Sequence, residues 1–253
     1  MRTRARRIGR RGATAAALLA GASAFAAPGA RAEEEGSGLA ALWPEGLELT
    51  AEIAFEPRFF PEDPAFAGQL DGFQASGFIK PELSWENDAR DLQIAVTPFF
   101  RLDARDDERT HFDIREAYVR RFMGDWDVLF GANQVFWGVT ESRHLVNIVN
   151  QIDAVEDIDE EDFLGQPMLQ IGRQTDFGRF ELFLMSGFRE RTFAGPPGRL
   201  RPPLFVDDDD ARFESGLENA RPEVALRYTH VLGDVDLGLH VFHGTSREPN
   251  LEV

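Results

Sequence analysis

Hydrophobic and polar residues alternate along most of the chain. Leu47, Leu49, Ala51, Ile53 and Phe55 fall on one side of residues 47–57, and Glu48, Thr50, Glu52, Ala54 and Glu56 on the other. A period of two with this contrast predicts a strand with one apolar and one wet face. Residues 73–86 and 91–103 repeat the pattern, with Phe73, Ile79, Leu83 and Trp85, then Leu92, Ile94, Val96, Phe100 and Leu102, on the apolar side. Pro81 and Pro98 interrupt these runs, and a residue without an N–H predicts a bulge, an edge or a strand end. Residues 112–123 slip out of rhythm. Glu116 and Arg120 share the parity of Phe112, Ile114, Tyr118 and Phe122. A bulge near Arg115–Ala117 would return both charges to the wet face. Further strands are expected at 125–137, 167–174, 179–188, 222–232 and 235–243.

The links between these nine strands alternate in length. Residues 58–72, 104–111, 138–166 and 189–221 are longer connections, and 87–90, 124–125, 175–178 and 233–234 are short ones. An antiparallel up-and-down transmembrane β-barrel has short turns at one rim and long loops at the other, whereas a soluble sandwich has no reason to sort its loops. Strands of about 10 residues suit a tilted crossing of a bilayer. The expected fold is therefore all-β, a barrel over residues 46–253 with a long insert after the fifth strand. An even strand number closes a typical bacterial barrel. Nine strands and a final Val253 rather than an aromatic predict that C-terminal strands are missing from this chain.

Composition narrows the function classes. Cysteine is absent, which excludes disulfides and thiolate chemistry. The formal net charge of −17 argues against a nucleic-acid partner. Residues 1–12 carry six arginines, an Ala-rich apolar run follows from Ala13 to Ala27, and small-x-small cleavage candidates stand at 24–26 and 30–32. This pattern predicts a secretory signal peptide over 1–32 and a loose leader over 33–45. Removing 1–32 takes away seven arginines and no acid, so the charge becomes 20 − 44 = −24. The expected location is the outer membrane, with lipid, lipopolysaccharide and the barrel-assembly machinery as partners.

The run Gly131-Ala132-Asn133-Gln134-Val135-Phe136-Trp137-Gly138, followed by Asn147, Asn150 and Asp153, resembles a porin-like family of outer-membrane barrels of Gram-negative bacteria, related to the alginate-export type. In that family the strand closes on Gly-x-Gln-x-x-x-Trp-Gly and an Asn-x-x-x-Asn-x-x-Asp segment follows. Here Gly131 stands three before Gln134, and Asn147 and Asn150 are three apart. The runs 187–193 and 198–203 add to the likeness, which spans roughly residues 115–247. It implies an outer-membrane, channel-like role and supplies no substrate.

The insert 138–166 is the leading candidate for chemistry. Glu141, Asn147, Asn150, Asp153, Glu156 and Asp157 are expected to shape a pore constriction if the insert folds inward, with a short helix over 144–149. Carboxylates in a low-dielectric channel favour cations. The bland alternative is a solvated outer loop. Arg115, Arg179 and Arg227 are candidate lumen-wall residues that either oppose these acids or pair with acids on adjacent strands. Asp207–Asp210 with Glu214 and Glu218 could hold Ca²⁺ but lack the EF-hand order. His240 and His243 fall on opposite faces of one strand, and Ser142 and Ser215 sit in no nucleophile motif. The expected function is passive, charge-influenced diffusion of a small solute, without cofactor or catalysis. A non-channel barrel (adhesin, scaffold or export partner) and an outer-membrane hydrolase are the alternatives.

Overall fold

A computed structural model describes residues 44–137, 147–206 and 211–251, together with the pair Ala22–Ser23. Nine strands form one antiparallel sheet in sequence order: β1 Leu47–Phe60, β2 Gly72–Glu86, β3 Leu92–Asp103, β4 His111–Met123, β5 Trp126–Asn133, β6 Gln166–Thr175, β7 Gly178–Met185, β8 Glu223–Leu232 and β9 Val235–His243. Ala22–Ser23, inside the expected targeting segment, add a two-residue strand along the free edge of β1. The sheet is open, since β1 and β9 do not pair with each other. No α-helix occurs among the described residues. A single 3₁₀ turn covers Glu218–Ala220.

The expected slip in β4 is a bulge at Arg115. Thr97 pairs with Glu116 and Pro98 with Ile114, which leaves Arg115 as the extra residue. Beyond the bulge Glu116, Tyr118 and Arg120 oppose Thr97, Ala95 and Gln93, so both charges lie on the wet face. Pro98 thus sits at the bulge. The β2–β3 ladder also lapses between Ile79–Phe100 and Leu83–Val96, where Pro81 lies across from Pro98. The two missing N–H donors meet at one place instead of breaking two.

The faces are inverted relative to a water-soluble sheet. Side chains pointing away from the insert are apolar and exposed: Ile53, Phe55, Phe59, Phe73, Leu102, Phe112, Phe130, Phe180, Leu226 and Leu239 among them. Phe130 is 70% exposed and Phe59 68%. The opposite face carries Gln74, Ser76, Thr97, Arg101, Asp113, Arg115, Asp127, Gln170, Glu181 and Glu223, all buried. Segments 147–165 and 189–206 and residues near Arg247 lie over Arg101, Arg115 and Glu223, while Asp127, Gln170 and Glu181 are shielded by one another and by Arg179. The polar face also holds an apolar island over β5–β8. Leu129, Met168, Phe183, Met185 and Ala225 pack there against Trp137, just before the insert, and Val149 within it.

The fifth strand ends at Asn133, four residues short of the expected Trp137. Side chains of the insert take over the backbone partners. Val135 N–H donates to Asn150 Oδ1 at 2.8 Å, and Trp137 N–H donates to Asn147 Oδ1 at 2.8 Å. The chain peels off the ladder without leaving those donors unpaired.

Candidate functional site

The insert is fastened at its base by Asn150. Its Nδ2 donates to the carbonyls of Asn133 (2.8 Å) and Leu164 (2.9 Å) while Oδ1 accepts from Val135, so one buried amide closes both ends of the excursion. Gln134 Nε2 donates to the Phe163 carbonyl beside it. Within the loop, Ile152 bridges Phe163, and Asp153 N–H donates to the Asp162 carbonyl at 2.8 Å. From the far side, Arg247 donates to the Val149 carbonyl at 2.6 and 2.9 Å and pairs with Glu223 at 2.7 Å.

Two buried ion pairs tie the tip of the insert to the sheet. Asp153 pairs with Arg115 at 2.5 Å and accepts from the Thr192 hydroxyl. Glu156 receives Arg101 through Nε (2.7 and 2.8 Å) and Nη2 (2.5 Å). Arg101 also reaches Glu56 at 2.9 Å, and Arg109 joins Glu56 (3.2 Å) to the Glu156 carbonyl (2.9 Å). Asp113 bridges Arg115 (3.0 Å) and Arg189 (2.7 Å), which brings segment 189–206 into the same network. Asp157 pairs with Arg58 at 3.1 Å at the partly exposed rim.

The bulge explains why Arg115 can serve here. It sets Arg115 and Glu116 on the same face, and the guanidinium lies 4.4 Å over the Phe99 ring with one edge left for Asp153. Burial pushes the Asp153 carboxyl up. The close approach of His111 (3.4 Å), the charge of Arg115 and the hydrogen bond from Thr192 more than offset that, and Asp153 titrates well below the usual carboxylate range. Asp162 goes the other way. Asp162 stays open to solvent, but desolvation by the sheet beneath it, with Glu156, Asp153 and Asp159 adding negative charge against Arg115, raises it to about 6.

Between the insert and β1–β4 lies a cavity of about 510 Å³. Glu52, Glu82, Glu116, Glu156, Glu161 and Asp162 line it, with Lys80 and Arg115 as its basic residues and Phe78 and Phe99 on its wall. Lys80 pairs with Glu52 at 2.7 Å and Arg115 with Asp153 and Asp113, so the cavity keeps a negative excess.

The structure therefore gathers Asn150, Asp153, Glu156 and Asp157 with Arg115, and it places Asn147 at the insert's base. Glu141 lies outside the described residues, as do residues 207–210, Ser142 and residues 144–146 of the helix expected over 144–149; Asn147–Val149 are not helical. Arg179 and Arg227 point to the same polar face but stand apart from the insert, pairing with Asp127 (2.7 Å) and with Glu181 (3.2 and 3.6 Å). Arg101, Glu56, Arg109, His111, Thr192 and Arg247 were not singled out by sequence. Wet-face parity places Glu56 and Arg101 correctly but does not reveal their partners.

His111, Asp153 and Glu156 offer ligand atoms within 4.8 Å of one another. Their chemistry does not fit a dication. Both carboxylates are already taken by guanidinium groups, and Arg101 and Arg115 supply the positive charge a metal would bring. His240 packs tilted against Trp137 at 5.2 Å and His230 stacks on Tyr228 at 6.3 Å, and neither joins a ligand cluster among the described residues. Compared with models of protein families, with curated proteins and with solved structures, the chain finds no match.

Proposed function

We propose that this chain forms the wall of an outer-membrane β-barrel channel, narrowed by the insert after β5 and preferring small cationic solutes. The observation that carries the reading is the inverted sheet. An exposed, contiguous apolar face across nine strands has no place in water, where each uncovered Phe or Leu forgoes roughly 1.5–3 kcal/mol of burial. A hydrocarbon phase relieves that cost, and the charged, loop-covered face then faces the lumen. The sorted link lengths, the Arg-rich N-terminus and the porin-like likeness of residues 131–153 support the same reading. No covalent step is needed.

Cation preference follows from the 510 Å³ cavity beside the insert, whose acids outnumber its bases. Planar-bilayer recordings of the full-length protein test it. The expected result is a conductance whose reversal potential in a salt gradient has the sign of cation selectivity, and which grows when 151–162 are replaced by a short Gly-Ser link. A protein that inserts but never conducts, with or without 151–162, overturns the channel. The two buried ion pairs across the insert favour a second reading, a plugged barrel that scaffolds or exports. In that case current appears only in the loop-replaced variant.

A further inference from the structure

We infer that the outward face near the short-turn rim carries a binding site for one anionic phospholipid, with Arg173 on the headgroup phosphate and a neighbouring groove for an acyl chain. The inference rests on the membrane reading above and goes beyond it.

One cross-strand row defines the site. Met123 opposes Trp126, Trp126 opposes Arg173, Arg173 opposes Phe180, Phe180 opposes Tyr228, and Tyr228 opposes Leu239. The row runs over β4–β9 on the apolar side, and Arg173 is its one charged member. The Arg173 guanidinium lies 4.8 Å over the Trp126 ring and has no ion pair among the described residues. Arg121, also on the outward face, is instead neutralised by Asp91 at 2.8 Å. Arg173 therefore keeps its charge on a face whose neighbours in the row are apolar or aromatic. With one face of the planar guanidinium over tryptophan and the residue exposed, its fork of N–H donors is open to a ligand, and that fork matches the oxygens of a phosphate.

The surroundings separate a lipid from a free anion. A groove of about 830 Å³ runs along this row, lined by Trp126, Ile171, Phe180, Leu226, Tyr228 and Leu239 beside Arg173. Its other charged residues, Glu181 and Arg227, pair with each other at 3.6 Å and point to the opposite face. Such a volume suits a chain of methylenes and far exceeds inorganic phosphate. Phe180 and Tyr228 pack at 4.8 Å, and the Tyr228 hydroxyl donates to the Phe177 carbonyl in the turn, which holds the groove's wall at the rim. Arg173 is two residues inside the end of β6, about 7 Å along the strand. That depth is the headgroup layer, where aromatic girdles sit and a charge on the lipid face costs little. Basic pockets at such interfaces take anionic headgroups.

Full-length protein in detergent, probed with phosphatidylglycerol, phosphatidylcholine and inorganic phosphate by native mass spectrometry, tests the site. The wild-type chain should retain one phosphatidylglycerol in preference to phosphatidylcholine, less so at high salt. Arg173→Gln should reduce that retention at least tenfold, and Trp126→Leu should weaken it. Equal retention by Arg173→Gln overturns the inference, as does displacement by millimolar inorganic phosphate with no preference for lipid. Flotation with phosphatidylglycerol vesicles is measured alongside. Wild type that fails to float overturns the membrane reading and this site with it, whereas flotation without selective retention overturns the site alone. If Arg173→Gln does not insert, the wild-type chain decides: phosphatidylglycerol retention unaffected by high salt counts against an arginine–phosphate contact.

Discussion

At Asp153 three side chains converge: Arg115, Thr192 and His111 meet one buried carboxylate. Its loss leaves a buried guanidinium uncompensated, so Asp153→Ala is expected to cost about 3–5 kcal/mol in urea unfolding of the reconstituted protein. Asp153→Ala with Arg115→Met should cost less than the two single changes summed. Acid should act in two windows. The lowered Asp153 pKa contributes stability that is present above the ordinary aspartate range and is lost as pH falls through and below it. Asp162 has the opposite sign. Its folded pKa of about 6 means the native state binds the extra proton, so its effect is to lower stability as pH rises from roughly 4 to 6. Asp162→Asn should flatten that second window in a pH series of unfolding midpoints and leave the first intact. Alternation marked which side of the sheet such charges occupy. It carried no information on pairing, because Arg101 and Glu156 are far apart in the chain and meet only when the insert folds over.

Among the elements, the strands were the most legible part, since a period of two marks a sheet with unlike faces. Even the β4 bulge was readable from the misplaced parity of Glu116 and Arg120. The end of β5 was not. Val135 and Trp137 continue the strand pattern, but Asn150 and Asn147 satisfy their N–H groups from outside the ladder. Asn150→Ala removes three backbone partners at once and should cost about 3 kcal/mol, with the insert becoming protease-sensitive while the strands persist. Gly131 is a second check on this element. It has φ +139°, and a Cβ there would stand 2.1 Å from the Ala117 carbonyl oxygen just past the bulge. Gly131→Ala should therefore destabilise by well over 1 kcal/mol and disturb the β4–β5 pairing.

For the whole molecule, the exposed apolar side and the buried ionic side set opposite demands on solvent. The expected behaviour is partition into the outer-membrane fraction, resistance to extraction by salt or alkali, and aggregation on detergent removal. Recovery as a soluble monomer without detergent would contradict it. Charged substitutions should grade with depth: Phe130→Arg, in mid-strand, should impair insertion by about 2–4 kcal/mol, and a change beside a short turn by far less. At this scale the strand alternation and short turns made the up-and-down antiparallel sheet legible in the sequence. The sequence did not show that two segments, 147–165 and 189–206, share the polar face, because the links between them are Thr192 with Asp153 and Val155 and Arg189 with the Gly165 carbonyl, contacts with no local signature.

The order of the strands has a kinetic consequence. Every ladder joins chain neighbours, so the wall can zip up hairpin by hairpin with little loop-closure entropy to overcome. The ties from Asp153 to Arg115 and from Glu156 to Arg101 reach back 38 and 55 residues, and they gain strength only where water is excluded. They should form late, after the rate-limiting step. Weakening them should then speed unfolding and leave the folding rate almost untouched. Assembly and durability would be set by different parts of the same chain: hairpins decide how fast the wall appears, and the arginine–carboxylate ties decide how long it lasts.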